Sequence, residues 1–266
     1  MPAAARRPRR DNPWRRPAGP MVWAHRGDSA HVTENTVAAF ESARDAGADG
    51  VELDVRVCAS GELVVFHDED LRRLAGRDER VDQLDFATLR AIELTGGHRI
   101  ATLDEVFAVV GPGLAVNVEI KAPRPGHGGP AVTGAVEAIV RAGAADRVLV
   151  SSFDPVALLQ VKRRLRGLAT AFLFHKGEPA PLRGGRLASL LFPRALHPEH
   201  VLVDAARVEI WHRSGWAVNV WTVDDPARLR ELARLGVGGV FANDPRAARA
   251  ALGGARGAGR SRQAEP

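Results

Sequence analysis

Short apolar runs and amphipathic stretches alternate along the chain from Met21 to about Leu252. The runs read as strands are residues 22–24, 50–57, 114–120, 147–151, 169–174, 201–203, 217–223 and 239–242. Between them, helical segments are predicted over 36–46, 102–110, 131–142, 155–166, 205–214 and 226–235. Asp154 before Pro155 and Asp225 before Pro226 are each an N-cap followed by a first-turn proline. Asn35 is the expected cap of the first helix, and Gly47 and Gly236 fall where a left-handed glycine ends one. A further run, 63–66, pairs in a hairpin with the end of the second strand, turning at Ser60-Gly61. Eight strands alternating with helices over about 230 residues predict an α/β protein, a single-domain (β/α)8 TIM barrel. A doubly wound open sheet is the alternative. It would want a glycine-rich phosphate loop after its first strand, where this chain has His25-Arg26-Gly27-Asp28.

Composition narrows the class. The chain has 266 residues, 45% of them hydrophobic, enough for one sizeable core. Its net charge of +5 comes largely from the ends: Arg6, Arg7, Arg9, Arg10, Arg15 and Arg16 face one acid, Asp11, and Arg256, Arg260 and Arg262 face Glu265. The expectation is a disordered basic tail over 1–20, a barrel domain over 21–252 and a disordered tail over 253–266. Between the tails no basic stripe interleaved with aromatics appears, so no nucleic-acid partner is expected. Cys58 is the only cysteine, which excludes an intrachain disulfide and suits a reducing, cytoplasmic setting. No apolar stretch of about 18 residues is present, so no transmembrane segment is expected.

Chemistry gathers at the predicted strand ends, where barrels of this kind keep their active groups. The first strand runs into His25-Arg26, and the hairpin run into His67-Asp68. Glu52 and Asp54 are two apart on the second strand and share a face, as do Asn117, Glu119 and Lys121 on the third; Asn219 and Trp221 follow on the seventh. The valines, leucine and isoleucine between these polar positions would face the helices, leaving three carboxylates to converge inside the barrel mouth. Unneutralised, that cluster is costly. One divalent cation that favours oxygen ligands, Mg²⁺ or Ca²⁺, relieves it. Two imidazoles titrating near neutrality can divide proton transfer, while Arg26, Lys121 and the cation stabilise charge on phosphate oxygens. Cys58 is read as packing, and His31, His98, His127, His197, His200 and His212 as structural or surface residues.

The ordered set of motifs closely resembles the glycerophosphodiester phosphodiesterase family. The motifs are His25-Arg26-Gly27, Thr33-Glu34-Asn35-Thr36, Val51-Glu52-Leu53-Asp54, His67-Asp68, Asn117-Val118-Glu119-Ile120-Lys121, Ser151-Ser152-Phe153, Val218-Asn219-Val220-Trp221-Thr222-Val223 and Gly236-Val237-Gly238-Gly239-Val240. The chain differs from the pattern at Thr33 (usually proline), Gly238 (usually aspartate) and Ala242-Asn243 (usually Thr-Asp). The resemblance implies a TIM barrel that hydrolyses small-molecule glycerophosphodiesters, such as glycerophosphocholine or glycerophosphoethanolamine, to sn-glycerol 3-phosphate and an alcohol. It implies His25 and His67 as the acid/base pair, and Arg26 and Lys121 as phosphate ligands. Glu52, Asp54 and Glu119 are implied as metal ligands, with Glu34 lining the site and Trp221 packing on the glycerol. The alternatives are a lysophospholipase D-type lipid phosphodiesterase, which would want an apolar membrane-seeking segment, or a silent phosphate- or nucleic-acid-binding barrel.

Overall fold

The computed structural model describes residues 12–14, 19–179 and 188–258. Eight parallel strands close into a barrel among these residues: β1 (Met21–His25), β2 (Gly50–Val57), β3 (Ala115–Ile120), β4 (Val148–Ser152), β5 (Ala169–Phe174), β6 (Ala195–Pro198), β7 (Ala217–Val220) and β8 (Gly239–Ala242). Closure comes from β1, which pairs with β8 through Trp23↔Phe241 and with β2 through His25↔Glu52. The register continues Glu52↔Asn117 and Asp54↔Glu119 between β2 and β3, so the polar positions of neighbouring strands sit level with one another.

Alternation sorts each strand. Val51, Leu53 and Val55 of β2, and Val116, Val118 and Ile120 of β3, pack in one apolar cluster with helices Val37–Asp45, Leu103–Val110 and Gly129–Arg141. A second cluster backs the other half of the barrel, with Leu196, Val218, Val220 and Val240 against Val208, Trp211, Leu229 and Leu232 of the flanking helices. Inside, the barrel floor is filled by Trp23 and Phe241, whose rings stack 5.8 Å apart, over the small side chains Ala169, Ala171, Ala195 and Ala217. Trp23 needs bare backbone beside it: a Cβ added at Gly50 or Gly239 would come 2.7 Å from its ring.

Asp154 and Asp225 cap their helices as expected, accepting from Val156 N and Arg228 N, and Gly47 and Gly236 adopt φ of +75° and +79°. The hairpin strand Leu63–Val65 pairs antiparallel with the end of β2. Cys58 is buried beside it in a small satellite core with Phe66, Leu71, Leu89 and Ile100.

Four expectations are corrected. Residues 201–203 are not a strand; a 3-10 turn spans His200–Leu202, and the sixth strand is Ala195–Pro198. The first helix is capped by Thr36, whose hydroxyl accepts from Ala39 N, because the Asn35 amide is diverted to Asp54. Within the expected N-terminal tail, residues 12–14 are docked: Trp14 stacks on Trp23 at 5.9 Å, and Asn12 Nδ2 donates to Arg194 O at 2.7 Å. The last helix, Pro245–Ala258, carries regular structure past Leu252 into the expected C-terminal tail. The remaining tail residues, 1–11, 15–18 and 259–266, lie outside the described residues.

Candidate active site

The chain leaves β1 through a tight turn. Arg26 and Gly27 have φ of +58° and +84°, and a Cβ on Gly27 would meet Ala39 at 2.7 Å. This turn folds Arg26 back over β2. Its amide N–H donates to Glu52 Oε2 at 2.9 Å, and its guanidinium lies 3.3 Å from Asp54 Oδ2 and 2.9 Å from Glu34 Oε1. Lys121, immediately after β3, places its ammonium 3.0 Å from Asp54 Oδ1 and in direct contact with Glu119. Asn35 Nδ2 completes the shell of Asp54 at 2.9 Å.

Each histidine is oriented by one neighbour. His25 donates Nδ1–H to Asn243 Oδ1 at 2.8 Å, and Asn243 in turn donates Nδ2–H to Asp224 Oδ2 at 2.6 Å. Nε2 of His25 is thereby left as the lone-pair nitrogen, 4.0 Å from Glu52 Oε2. His67 donates Nδ1–H to Asp68 at 2.7 Å, and Arg73 ties Asp68 to Glu34, each at 2.7 Å. Burial of the ring, aided by the Arg26 charge, pulls His25 down to about 4, and burial also lowers His67.

Oxygens of Glu52, Asp54 and Glu119 lie within 4.8 Å of one another. Burial, together with the charges of Asp54 and Glu119, pushes Glu52 well above the usual carboxylate range, and burial raises Glu119. For Asp54 burial works the same way but is overruled by Lys121 and Arg26, which hold it below that range. With all three carboxylates ionised against two fixed cations, the site would carry one negative charge, and Glu52 resists that ionisation. The all-oxygen donor set and the high proton affinity of Glu52 both fit a hard divalent cation, which would make the pocket net positive.

These groups open onto a cavity of about 190 Å³. His25, Arg26, Glu52, His67, Glu119, Lys121 and Trp221 line it. Glu34 and Asp54 are not among the lining residues: Glu34 braces Arg26 and Arg73, and Asp54 lies behind Arg26 and Lys121. The opposite wall contains residues not singled out as site residues from the chain alone. Phe153, Leu173, His197, Thr222 and Phe241 stand there, with Asn117 alongside. Trp221 is fixed by Nε1–H donation to His197 O at 2.7 Å and by edge-on contact with Phe153 at 5.7 Å. No sequence signal marks His197 as special, because the short strand that carries it, Ala195–Pro198, gives only Leu196 to the outer apolar cluster.

A barrel with this mouth falls among the TIM-barrel enzymes, whose chemistry sits where the strands end. Residues 25–247 match the glycerophosphoryl diester phosphodiesterase family, and the chain belongs to it. It is 34% identical over 238 residues to a glycerophosphodiester phosphodiesterase of Caldanaerobacter subterraneus subsp. tengcongensis, covering 85% of this chain and 94% of that one. Among solved structures, a phosphodiesterase of Oleispira antarctica in complex with the product sn-glycerol-3-phosphate superposes with a TM-score of 0.81 at 27% identity, covering 88% of this chain and 97% of that one. The glycerophosphodiester phosphodiesterase of Thermotoga maritima superposes at 0.70 with 30% identity, over 85% and 96% of the two chains.

Proposed function

We propose that the chain hydrolyses glycerophosphodiesters such as glycerophosphocholine or glycerophosphoethanolamine to sn-glycerol 3-phosphate and the free alcohol, using His25 and His67 as its acid/base pair. The observation that carries this is the joint placement of both histidines, Arg26 and Lys121 around one cavity beside Glu52 and Glu119. Binding of sn-glycerol 3-phosphate by the Oleispira relative supports the product.

Arg26 and Lys121 take the two free phosphoryl oxygens as ionic hydrogen-bond acceptors. His25, with its proton held on Nδ1 by Asn243, offers Nε2 as the base to the attacking oxygen, a water or the glycerol 2-hydroxyl. That oxygen bonds to phosphorus as the bond to the alcohol breaks, and His67, whose imidazolium Asp68 supports, gives its proton to the departing oxygen. Where the 2-hydroxyl attacks, a water then opens the resulting cyclic phosphate to sn-glycerol 3-phosphate, with the two histidines exchanging roles. Glu52, Asp54 and Glu119 would hold one divalent cation, Mg²⁺ or Ca²⁺, which supplies Lewis-acid stabilisation of the phosphoryl oxygens. Trp221 forms part of the apolar wall against the glycerol. Among the described residues no helix is long and apolar enough to cross a membrane.

The test is release of sn-glycerol 3-phosphate from glycerophosphocholine by purified protein with Mg²⁺, with Ca²⁺ and with EDTA, beside His25→Ala. Cation-dependent release that drops by about a thousandfold or more in the variant is expected. Equal release by the variant would refute the role of His25, and release unaffected by EDTA would refute the cation.

A further inference from the structure

The cavity has two unlike halves. Strands β1, β2 and β3 supply the charged wall, whereas Leu173 of β5, His197 of β6, Trp221 and Thr222 after β7 and Phe241 of β8 supply a neutral one. Within this lining, three polar side-chain atoms are buried without a hydrogen-bond partner. Arg26 Nε faces the Asp54 carboxylate at 3.3 Å, which leaves His197 Nδ1 and Asn117 Oδ1 with no counterpart. Buried polar groups are normally satisfied, so an orphan in a cavity wall points to something the cavity receives.

The two orphans are of opposite kind. Asn219 Nδ2 lies 3.0 Å from His197 Nε2, and an amide NH₂ only donates, so Nε2 accepts and the neutral ring carries its proton on Nδ1. Asn117 Nδ2 is committed to Ser151 Oγ at 2.9 Å, which leaves Oδ1 as a pure acceptor. Neither side chain can turn away. His197 is fully buried, held by Asn219 on one edge and by Phe241 edge-on at 5.0 Å, and Asn117 is 1% exposed.

We propose that His197 and Asn117 read the glycerol moiety, His197 Nδ1–H donating to one hydroxyl and Asn117 Oδ1 accepting from the other. This rests on the function proposed above and adds to it: the substrate class is set by a vicinal diol or similar polyol next to the phosphate, and His197 is a specificity residue rather than core filling. A buried donor or acceptor made to meet a hydroxyl rejects the analogue that lacks it far more strongly than an apolar pocket can.

The experiment is calorimetric binding, in Mg²⁺ buffer, of sn-glycerol 3-phosphate and of methyl phosphate, which has the charge but no hydroxyls. It is run on the full chain, on His197→Phe and on His197→Gln, with glycerophosphocholine hydrolysis by the wild type alongside. The wild type is expected to prefer glycerol 3-phosphate by about tenfold or more, and His197→Phe to lose most of that preference while its methyl phosphate affinity moves by less than about twofold. His197→Gln, which restores a donor, should recover part of it. Should His197→Phe fail to melt cooperatively, His197→Met replaces it in the same comparison. A preference unchanged in the variant, or equal loss for both ligands, would mean that His197 is structural and would overturn the proposal. A wild type that hydrolyses glycerophosphocholine but shows no preference would overturn it too, leaving the proposed function standing. With neither hydrolysis nor preference, both would fall.

Discussion

The His25 imidazole and the Asn243 amide are joined by a 2.8 Å hydrogen bond that fixes the tautomer of the histidine from the far side of the barrel seam, between β1 and the residue after β8. Asn243 is itself clamped by Asp224 through both its backbone and side-chain N–H groups, at 2.7 and 2.6 Å. An amide here orients the ring without adding a negative charge, and burial, aided by the Arg26 charge, keeps His25 neutral with its lone pair on Nε2. Asn243→Leu removes the acceptor and leaves a buried Nδ1–H unmatched. The expected outcome is a kcat about 10- to 100-fold lower with KM nearly unchanged, in line with the ~1.5–3 kcal/mol of a well-placed polar contact. Steady-state kinetics on glycerophosphocholine would decide it; a KM effect with intact kcat would assign Asn243 to binding instead.

The carboxylate cluster makes a separate prediction that does not depend on turnover. Glu52 is buried and wants a proton because Asp54 and Glu119 are beside it. A divalent cation that binds only the folded state removes that conflict and raises the melting temperature by mass action. Glu119→Gln keeps the shape of the site and a contact for Lys121 but withdraws one ligand charge. Addition of millimolar Ca²⁺ or Mg²⁺ should raise the melting temperature of the wild type by several degrees and that of Glu119→Gln by clearly less. An equal rise in both proteins would place the cation elsewhere.

What could be read from the chain followed the period of its side chains. Glu52 and Asp54, and Asn117 and Glu119, are two apart on strands with apolar residues between, so their common face and their convergence were legible. Strand β6 was not, because its inward positions are Ala195 and His197 and it ends at Pro198, leaving Leu196 as its one residue in the outer apolar cluster. The apolar trio at 201–203 imitates a strand better than the strand itself does. His197 was lost with it. Asn35 looks like a cap until Asp54 claims its amide, a contact 19 residues away that local pattern does not contain. Trp14 stands among arginines and prolines, and only the ring of Trp23 on the folded barrel floor gives it a place.

That place has a measurable consequence. Trp14 is 7% exposed and covers the end of the barrel opposite the active site, stacked on a ring that itself touches Phe241. Trp14→Ala uncovers Trp23 and should cost about 2–4 kcal/mol in urea unfolding, the lower part of the range for aromatic truncation because the segment can be rewetted. Activity per folded molecule should stay within about twofold, since no residue lining the cavity is touched. A stability loss under about 0.5 kcal/mol would show that the 12–14 segment adds little to the fold.

His197 should be visible in the pH dependence of stability. Burial pulls its pKa from 6.5 down to about 3, so between these values the unfolded chain binds a proton that the folded chain refuses. With more protons bound in the unfolded state, stability rises with pH: the contribution is complete above about 6.5 and is lost progressively as the pH falls towards 3. The limiting slope for one such group is ~1.4 kcal/mol per pH unit. Carboxylates and the other histidines contribute slopes of their own, so the quantity to follow is the stability of the wild type minus that of His197→Phe, in which most of those terms cancel. Measured by urea unfolding at pH 7, 6 and 5, that difference should shift against the wild type by roughly 1 kcal/mol per unit below pH 6. Parallel curves would mean that His197 takes up a proton at Nε2 in the folded barrel, with the Asn219 amide turned to accept it.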